Sequence, residues 1–305
     1  MADLRSLEIF FWVARLRSFR GAADRLNTTQ PAVSQRIAAL EAELGVRLLE
    51  RGGRTTPAGT GRGVVTTAQG RRLLDYAERM LRLRTEMLEA VAGPGAVGGV
   101  LRLGVAETIV HTWLARFIER AHALYPAVTL DIEVDVTHAL RGALASHAID
   151  LAFLMGPLVE AEMANLPLCR YPLAFAASPK LGLPAEPLDR DAVLALPIIT
   201  YPRSTAPTIA LSAALRSADG PAPRVFGNAS LATIVRMTLD GIGLSVIPPA
   251  VVARELAEGT LRLVETTLAP PELAFTASWP SGPDDALARR LAELAVQVAT
   301  EAGHR

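Results

Sequence analysis

Two regimes of apolar patterning divide the chain. Up to about residue 92 the apolar side chains recur at helical spacing, and from Val100 they gather in short runs alternating with helical stretches. In Leu4–Arg17, Leu7, Phe10, Phe11 and Ala14, with Trp12 beside them, mark one face of an amphipathic helix meant for burial. Ser18 is a good N-cap, and Phe19–Leu26 puts Ala22, Ala23 and Leu26 on one side of a second helix. Asn27 and Thr28 interrupt it, because short polar side chains favour turns. Thr29 can cap a third helix, whose first turn tolerates Pro31 because an N–H there has no partner to lose. Val33, Ile37, Leu40 and Leu44 follow at steps of four, three and four, which is one face, and the small Ala22 and Ala23 let the two backbones cross closely. Turned away are Pro31, Ala32, Ser34, Gln35 and Ala38, with Gln30 at the helix start and Arg36 on the flank. That side is short, polar and almost free of acid, and it suits a major groove lined with base edges and flanked by phosphates.

Residues 46–67 predict a two-stranded wing. Val46–Leu49 begins it and Val64–Thr66 returns, with a glycine-rich loop carrying Arg51, Arg54 and Arg62 between them. Such a loop suits approach to phosphates or the minor groove. From Ala68 to Val91 the pattern is one long helix. Leu73, Met80 and Met87 are spaced by sevens, as are Leu74, Leu81 and Leu88, with Tyr76 and Leu83 in a third row. Sustained heptads mark a helix lying along a partner, so a homodimer through residues 70–91 is expected. Glycines and a proline at 93–99 predict a hinge.

From Val100 strands are expected at 100–105, 128–134, 150–154, 171–176, 197–200, 223–226, 244–247 and 272–278. Helices are expected at 110–124, 138–147, 206–217, 230–240, 249–257 and 284–301. This alternation predicts an α/β fold with largely parallel sheets. Neither a G-x-G-x-x-G opening a first helix nor a P-loop is present, which disfavours nucleotide binding. In open α/β sheets ligands gather beyond the carboxyl ends of strands, near helix N-termini. Ala106, Glu107 and Thr108, then Thr137, then Ser204 and Thr205 stand at such places, with Arg203 beside the last pair. Asn228, Ser230 and the run Gly243–Pro248 are further candidates for the crevice.

The run A-A-x-x-L-x-x-T-Q-P-A-V-S-x-x-I-x-x-L-E-x-x-L-G-x-x-L-x-x-R, from Ala22 to Arg51, closely resembles the winged helix-turn-helix of LysR-type transcriptional regulators. The resemblance implies an N-terminal, mainly helical DNA-binding domain over 1–67, a dimerising linker helix over 68–92, a hinge at 93–99 and an effector domain over 100–305. That last domain should look like a type 2 periplasmic binding protein, with lobe one at 100–170 and 277–301 and lobe two at 171–276. Double-stranded DNA would then be held by Thr29, Gln30, Pro31, Ala32, Ser34, Gln35 and Arg36 of the third helix and by Arg51, Arg54 and Arg62 of the wing. A small-molecule effector would be contacted by Ala106, Glu107, Thr108, Thr137, Arg203, Ser204, Thr205, Asn228, Ser230 and Pro248. Tetramers built from pairs of dimers, and RNA polymerase as a partner, also belong to the resemblance. Two departures stand out. The wing is about eight residues longer than usual if Thr67-Ala68-Gln69-Gly70 ends it, although Thr56-Pro57-Ala58-Gly59 echoes the same motif earlier. Glu107 takes a position where the family usually has a small uncharged residue, which argues against a simple carboxylate effector, whereas Arg203 argues for one.

Composition sharpens this. Charges balance over the 305 residues, yet residues 1–92 carry fifteen basic and ten acidic side chains, an excess that the remainder reverses. A basic head on an acidic body fits a phosphate-binding module joined to a ligand-binding one. Cys169 is the single cysteine, which leaves no intramolecular disulfide. The histidines have no metal-ligand spacing, no nucleophile has an evident base, and neither a cofactor nor an enzymatic activity is expected. The N-terminus lacks a signal-peptide pattern and no apolar run is long enough to span a bilayer, so a soluble cytoplasmic protein without membrane contact is expected. The rival reading is a ligand-binding or enzymatic α/β protein that uses its N-terminal helices only to dimerise.

Overall fold

A computed structural model describes residues 3–51, 63–92, 98–160, 162–216, 223–282 and 285–303. Arg54, Arg62, most of the wing loop, hinge residues 93–97, Asp284 and His304 lie outside the described residues, as do the side chains of Arg51 and Leu88. The chain forms two compact units, Met1–Gly98 with Ser281–Leu287, and Gly99–Pro280 with Ala288–Arg305.

In the first unit α1 (Leu4–Leu16), α2 (Phe19–Arg25) and α3 (Gln30–Leu44) precede an antiparallel pair, β1 (Leu49–Arg51) and β2 (Val64–Thr66), and then α4 (Ala68–Ala92). Each helix start has a local cause. Asp3 accepts from the Ser6 N–H, Ser18 from Gly21 and Thr29 from Ala32, which satisfies first-turn donors that have no helical partner. Gly45 stops α3 with a left-handed backbone, φ 66°. The core joins Ile9, Phe10, Phe11, Trp12 and Val13 of α1 to Ala22, Ala23, Val33, Ile37 and Leu40, and is closed by Leu48, Leu49 and Leu81. The aromatics of α1 are therefore core, and Trp12 also carries the Arg25 guanidinium 4.5 Å from its ring centroid. Glu41 fixes the wing to α3, its Oε1 accepting from the Leu48 and Leu49 N–H groups at 2.7 and 3.1 Å.

The heptad rows of α4 split. Leu74 and Leu81, expected to face a partner, pack instead on the core of their own domain together with Leu73. Tyr76, Met80, Leu83, Met87 and Val91 remain exposed, Leu83 at 65% and Val91 at 83%. The twenty-five-residue helix leans on its own head with one stripe and leaves another bare, a division that spacing alone does not encode.

The second unit holds two five-stranded sheets. Its elements are β3 (Gly99–Val105), α5 (Glu107–Val110), α6 (Leu114–Leu124), β4 (Val128–Val134), α7 (Thr137–Ala145), β5 (Leu151–Met155), β6 (Met163–Pro172), β7 (Ala174–Ala177), α8 (Arg190–Leu194), β8 (Ile198–Thr200), α9 (Ala206–Leu215), β9 (Val225–Gly227), α10 (Leu231–Leu239), β10 (Leu244–Ile247), α11 (Ala253–Ala257), β11 (Arg262–Val264), β12 (Glu272–Pro280) and α12 (Ala286–Glu301). The first sheet runs β4-β3-β5-β12-β6 and the second β11-β7-β10-β8-β9.

Three differences from the sequence expectation have physical causes. The sheets are mixed rather than largely parallel. β4-β3-β5 and β10-β8-β9 are parallel, whereas β12, β6, β7 and β11 pair antiparallel. The chain passes directly between sheets at β6–β7 and at β11–β12, so those strands need no helical crossover. The expected strand at 171–176 is two, because β6 ends at Pro172 in one sheet and β7 begins at Ala174 in the other. β6 escaped notice because Pro167 interrupts it. Proline is tolerated there because β6 is an edge strand and Pro167 lies beside the pairing irregularity at Phe275/Thr276. The return crossing, expected near 276, occurs before 272, since β12 pairs with β6 from Glu272 to Pro280 in the first sheet.

Candidate DNA-binding face and ligand cleft

On α3 the apolar and polar sides separate as the spacing predicts, except that Leu44, in the last turn, is exposed rather than buried. Val33, Ile37 and Leu40 are buried, while Thr29, Gln30, Pro31, Gln35 and Arg36 are exposed and Ala32 and Ser34 half-buried. Gln30 Nε2 lies 3.4 Å from Ser34 Oγ, one turn on, so both polar groups are at the surface and available to an incoming partner. Arg36 reaches back to Asp3 at 3.1 Å in a pair that is half-exposed on both sides. Such a surface pair is screened by solvent and readily exchanged for another anion. The Asp3 carboxyl is held below its usual range first by hydrogen bonds from Ser6 and then by Arg36. Arg51 stands in β1, opposite Val64.

In the second unit four strand ends meet one cavity of about 280 Å³. β3 delivers Ala106, Glu107 and Thr108. β4 delivers Val134–Thr137, β8 delivers Tyr201, Pro202 and Thr205, and β9 delivers Ala229 and Ser230. Met155, Leu273 and Phe275 complete an apolar wall from the first sheet. The strand-end rule therefore gathers Ala106, Glu107, Thr108, Thr137, Thr205 and Ser230 around one space. It does not bring Arg203, Ser204, Asn228 or Pro248 to it. The Arg203 guanidinium is spent on the Val225 carbonyl, Ser204 faces solvent, Asn228 folds onto the Ser230 N–H, and Pro248 is buried ahead of a 3-10 turn. Gly243 to Ile247 also stay off the lining, because Gly243 lies against the Pro197 carbonyl, where a Cβ would approach to 2.2 Å.

Tyr201 and Pro202 are missed by sequence reasoning but follow the same rule, standing just past β8. Leu273 and Phe275 lie on an antiparallel strand, so only the sheet order reveals their face.

The polar groups of the cavity are partnered across it. Glu107 Oε2, from the first lobe, accepts from the Leu231 N–H at the start of α10 in the second, at 2.6 Å. Thr108 Oγ1 lies 3.2 Å from the Tyr201 hydroxyl. Burial pushes the Tyr201 phenol well above its usual range, the nearby Glu107 charge adds to this, and Thr108 partly opposes it, so the hydroxyl stays protonated. His111 stands outside the lining with Nε2 3.6 Å from Glu107 Oε1. Thr137 is the first residue of α7, and its Oγ1 accepts from the Met155 N–H. Ser230 caps α10, through the Thr233 N–H.

Cys169 lies buried in β6, and desolvation, against weaker opposing contacts from Trp113 and Tyr171, pushes its thiol up to about 12. A thiol held that high and out of solvent is a poor nucleophile. Among the described residues no helix is long and apolar enough to cross a membrane.

Comparison with known proteins gives a consistent picture. The family described as "Bacterial regulatory helix-turn-helix protein, lysR family" matches residues 4–71, and "LysR substrate binding domain" matches residues 94–300. The chain is similar to a probable hydrogen peroxide-inducible genes activator of Mycobacterium avium, at 31% identity over 304 residues, 95% of this chain and 92% of that protein. It is also similar to the HTH-type transcriptional regulator YusT of Bacillus subtilis, at 28% identity over 84% of this chain and 82% of that protein. Among solved structures, ArgP from Mycobacterium tuberculosis shares the fold with TM-score 0.64 and 20% identity, covering 98% of both chains. LysG from Corynebacterium glutamicum with bound effector Arg does so with TM-score 0.60 and 20% identity, covering 98% of this chain and 99% of that one.

Proposed function

The chain belongs to the LysR family of bacterial transcriptional regulators, and from that membership we propose how its two units work. It is a DNA-binding regulator with an effector-binding domain, and not an enzyme. Regulators of this family bind DNA and small-molecule effectors and form oligomers. In our reading α3 enters the major groove, with Gln30, Pro31, Ser34 and Gln35 at base edges and Thr29, Ala32 and Arg36 close to the backbone. Arg51, Arg54 and Arg62 serve the wing's phosphate contacts. The cavity between the two sheets of the second unit receives the effector. A ligand there shifts the lobes only by its differential affinity for two arrangements, and the rest of the molecule reads that difference. RNA polymerase contact and a cytoplasmic location are part of this proposal. The M. avium relative is named for hydrogen peroxide, but a buried thiol pushed up to about 12 does not favour cysteine chemistry as the signal here.

The observation that supports this reading best is the exposed polar side of α3 above its buried apolar side. Fluorescence anisotropy on the chain's own promoter and on scrambled DNA, at about 50 and about 200 mM salt, tests it. Both affinities should fall steeply with salt, by roughly a thousandfold if about six phosphates are engaged. The promoter should remain preferred by at least about a thousandfold. Salt-insensitive or indiscriminate binding would overturn the assignment.

We also propose a homodimer through the exposed stripe of α4, and tetramers built from it. Tyr76, Met80, Leu83, Met87 and Val91 form an apolar row in water that a second copy of α4 would cover. Leu83→Asp should yield monomers in sedimentation velocity at micromolar concentration without lowering helix content. Persistence of the wild-type species would place the interface elsewhere.

A further inference from the structure

The cavity resolves a contradiction between two charged residues. Glu107 argues against an anionic ligand and Arg203 for one. The structure removes the second argument, because the Arg203 guanidinium donates to the Val225 carbonyl at 3.0 Å and the residue is not part of the lining. Among the described residues, no arginine, lysine or histidine lines the cavity, whereas Glu107 and Asp135 do.

The other source of positive potential in such a crevice is the N-terminus of a helix. Four helices begin at this cavity. α5 is a single turn whose first residue is Glu107 itself, so a carboxylate already stands at its start, and the other three are each compromised for anion binding. At α10 the chain supplies its own anion, since Glu107 Oε2 accepts from the Leu231 N–H at 2.6 Å. At α7 the Asp135 carboxylate stands just ahead of the helix and accepts from the Val136 N–H. At α9, Pro207 in the first turn has no N–H to offer, and the Thr205 hydroxyl turns back to the Pro202 carbonyl at 2.7 Å. A free carboxylate or phosphate entering here would find an apolar wall, two like charges and no unengaged cation, which is unfavourable.

A cation meets the reverse situation. A carboxylate can accept about four hydrogen bonds, and Glu107 uses one oxygen on Leu231 while Oε1 has only the His111 Nε2 at 3.6 Å. Asp135 is exposed and accepts from the Val136 N–H through Oδ1. Val134, Val136, Met155, Pro202, Leu273 and Phe275 would cover an apolar body. We infer that the cavity between Glu107, Asp135 and Tyr201 selects an amine-bearing, otherwise apolar ligand and rejects its carboxylate counterpart. Glu107 is then both the counter-charge of the ligand and the contact that ties the lobes through α10, so the amine acts directly on the link between them. This rests on the cavity being the effector site.

The full chain is titrated with matched sets, 2-phenylethylamine, 2-phenylethanol and phenylacetate, and hexylamine, hexanol and hexanoate, and followed by thermal shift. At least one amine should raise the melting temperature saturably, the alcohol less, the carboxylate not at all. Glu107→Gln keeps an acceptor for the Leu231 N–H and so keeps the fold, and should weaken the amine by about tenfold to a hundredfold. Asp135→Asn should weaken it less. Stabilisation of the wild-type chain by a carboxylate, an amine response unchanged in Glu107→Gln, or no response to any amine overturns the inference. The effector-site reading fails separately. If an amine bound in a Glu107-dependent way left promoter binding unchanged, the cavity would select amines without governing DNA.

Discussion

Replacing Gly70 with alanine should unfold the first unit at a temperature well below the second and abolish DNA binding at growth temperature. Gly70 lies at the start of α4, where that helix crosses the root of the wing. A Cβ there would stand 2.1 Å from the Leu48 carbonyl oxygen and 3.1 Å from its carbon, both backbone atoms that cannot rotate aside. The contact is fixed from both sides. The Thr67 N–H donates to the Leu48 oxygen at 2.9 Å, Thr67 Oγ1 donates to the Arg47 carbonyl, and the Gly70 N–H donates to Thr67 Oγ1. Relief requires α4 to move off β1, which would open the contact between Leu81 and the core of α1 and α3. Alanine should stabilise an unconstrained helix by about 1 kcal/mol over glycine. Overpacking by a methyl costs about 1–3 kcal/mol and occasionally more, and a backbone oxygen at 2.1 Å that cannot rotate aside puts this site at the upper end, so the clash prevails. A helical head of this size has only about 5 kcal/mol to lose. Calorimetry of the full chain should show the first unit's transition moved down with the second unit's unmoved. A single unshifted transition would mean that α4 is not held on the wing as described.

Gly70 also shows what was legible in the sequence and what was not. The spacing of Val33, Ile37 and Leu40, the caps at Ser18 and Thr29 and the breaks at Asn27 and Thr28 are local, so helices α1 to α3 could be read almost residue by residue. The reason for a glycine at 70 could not, because it depends on a carbonyl twenty-two positions away. The same division holds in the second unit. Residues just past a strand's end, such as Glu107 and Thr205, reach the cavity because strand direction and chain order coincide there. Arg203 and Asn228 stand in the same loops but turn to the Val225 carbonyl and to the chain's own backbone, a choice made by side-chain geometry. Leu273 and Phe275 enter through antiparallel β12, whose place in the first sheet follows from a crossing that no local signal marks. The two rows of α4 were visible as heptads, but which row rests on its own domain is decided by the fold of residues 4–49.

Gln35→Glu should reduce affinity for promoter DNA by about a hundredfold or more while leaving the melting temperature of the first unit in place. Gln35 is exposed on the side of α3 opposite Val33 and Ile37, and none of its side-chain atoms supports the core. Glutamate has the same shape and nearly the same helix propensity, and position 35 lies inside a helix that runs from Gln30 to Leu44, away from either end. The fold should therefore register the change by no more than about 0.5 kcal/mol. DNA should register it twice. An amide that can both donate to and accept from adenine becomes an acceptor alone, at about 1–3 kcal/mol for a lost bidentate contact. A negative charge also enters a groove walled by phosphates, and such like-charge placement costs several kcal/mol. The second effect is the larger and shrinks as salt rises, whereas the first does not. Measuring anisotropy across a salt series separates them, and an affinity within twofold of wild type at every salt would remove this side of α3 from the DNA interface. The Gln35→Glu chain should also accept a C·G pair better at one position of the site, because a carboxylate can accept from the cytosine amino group. That position would identify the base facing residue 35.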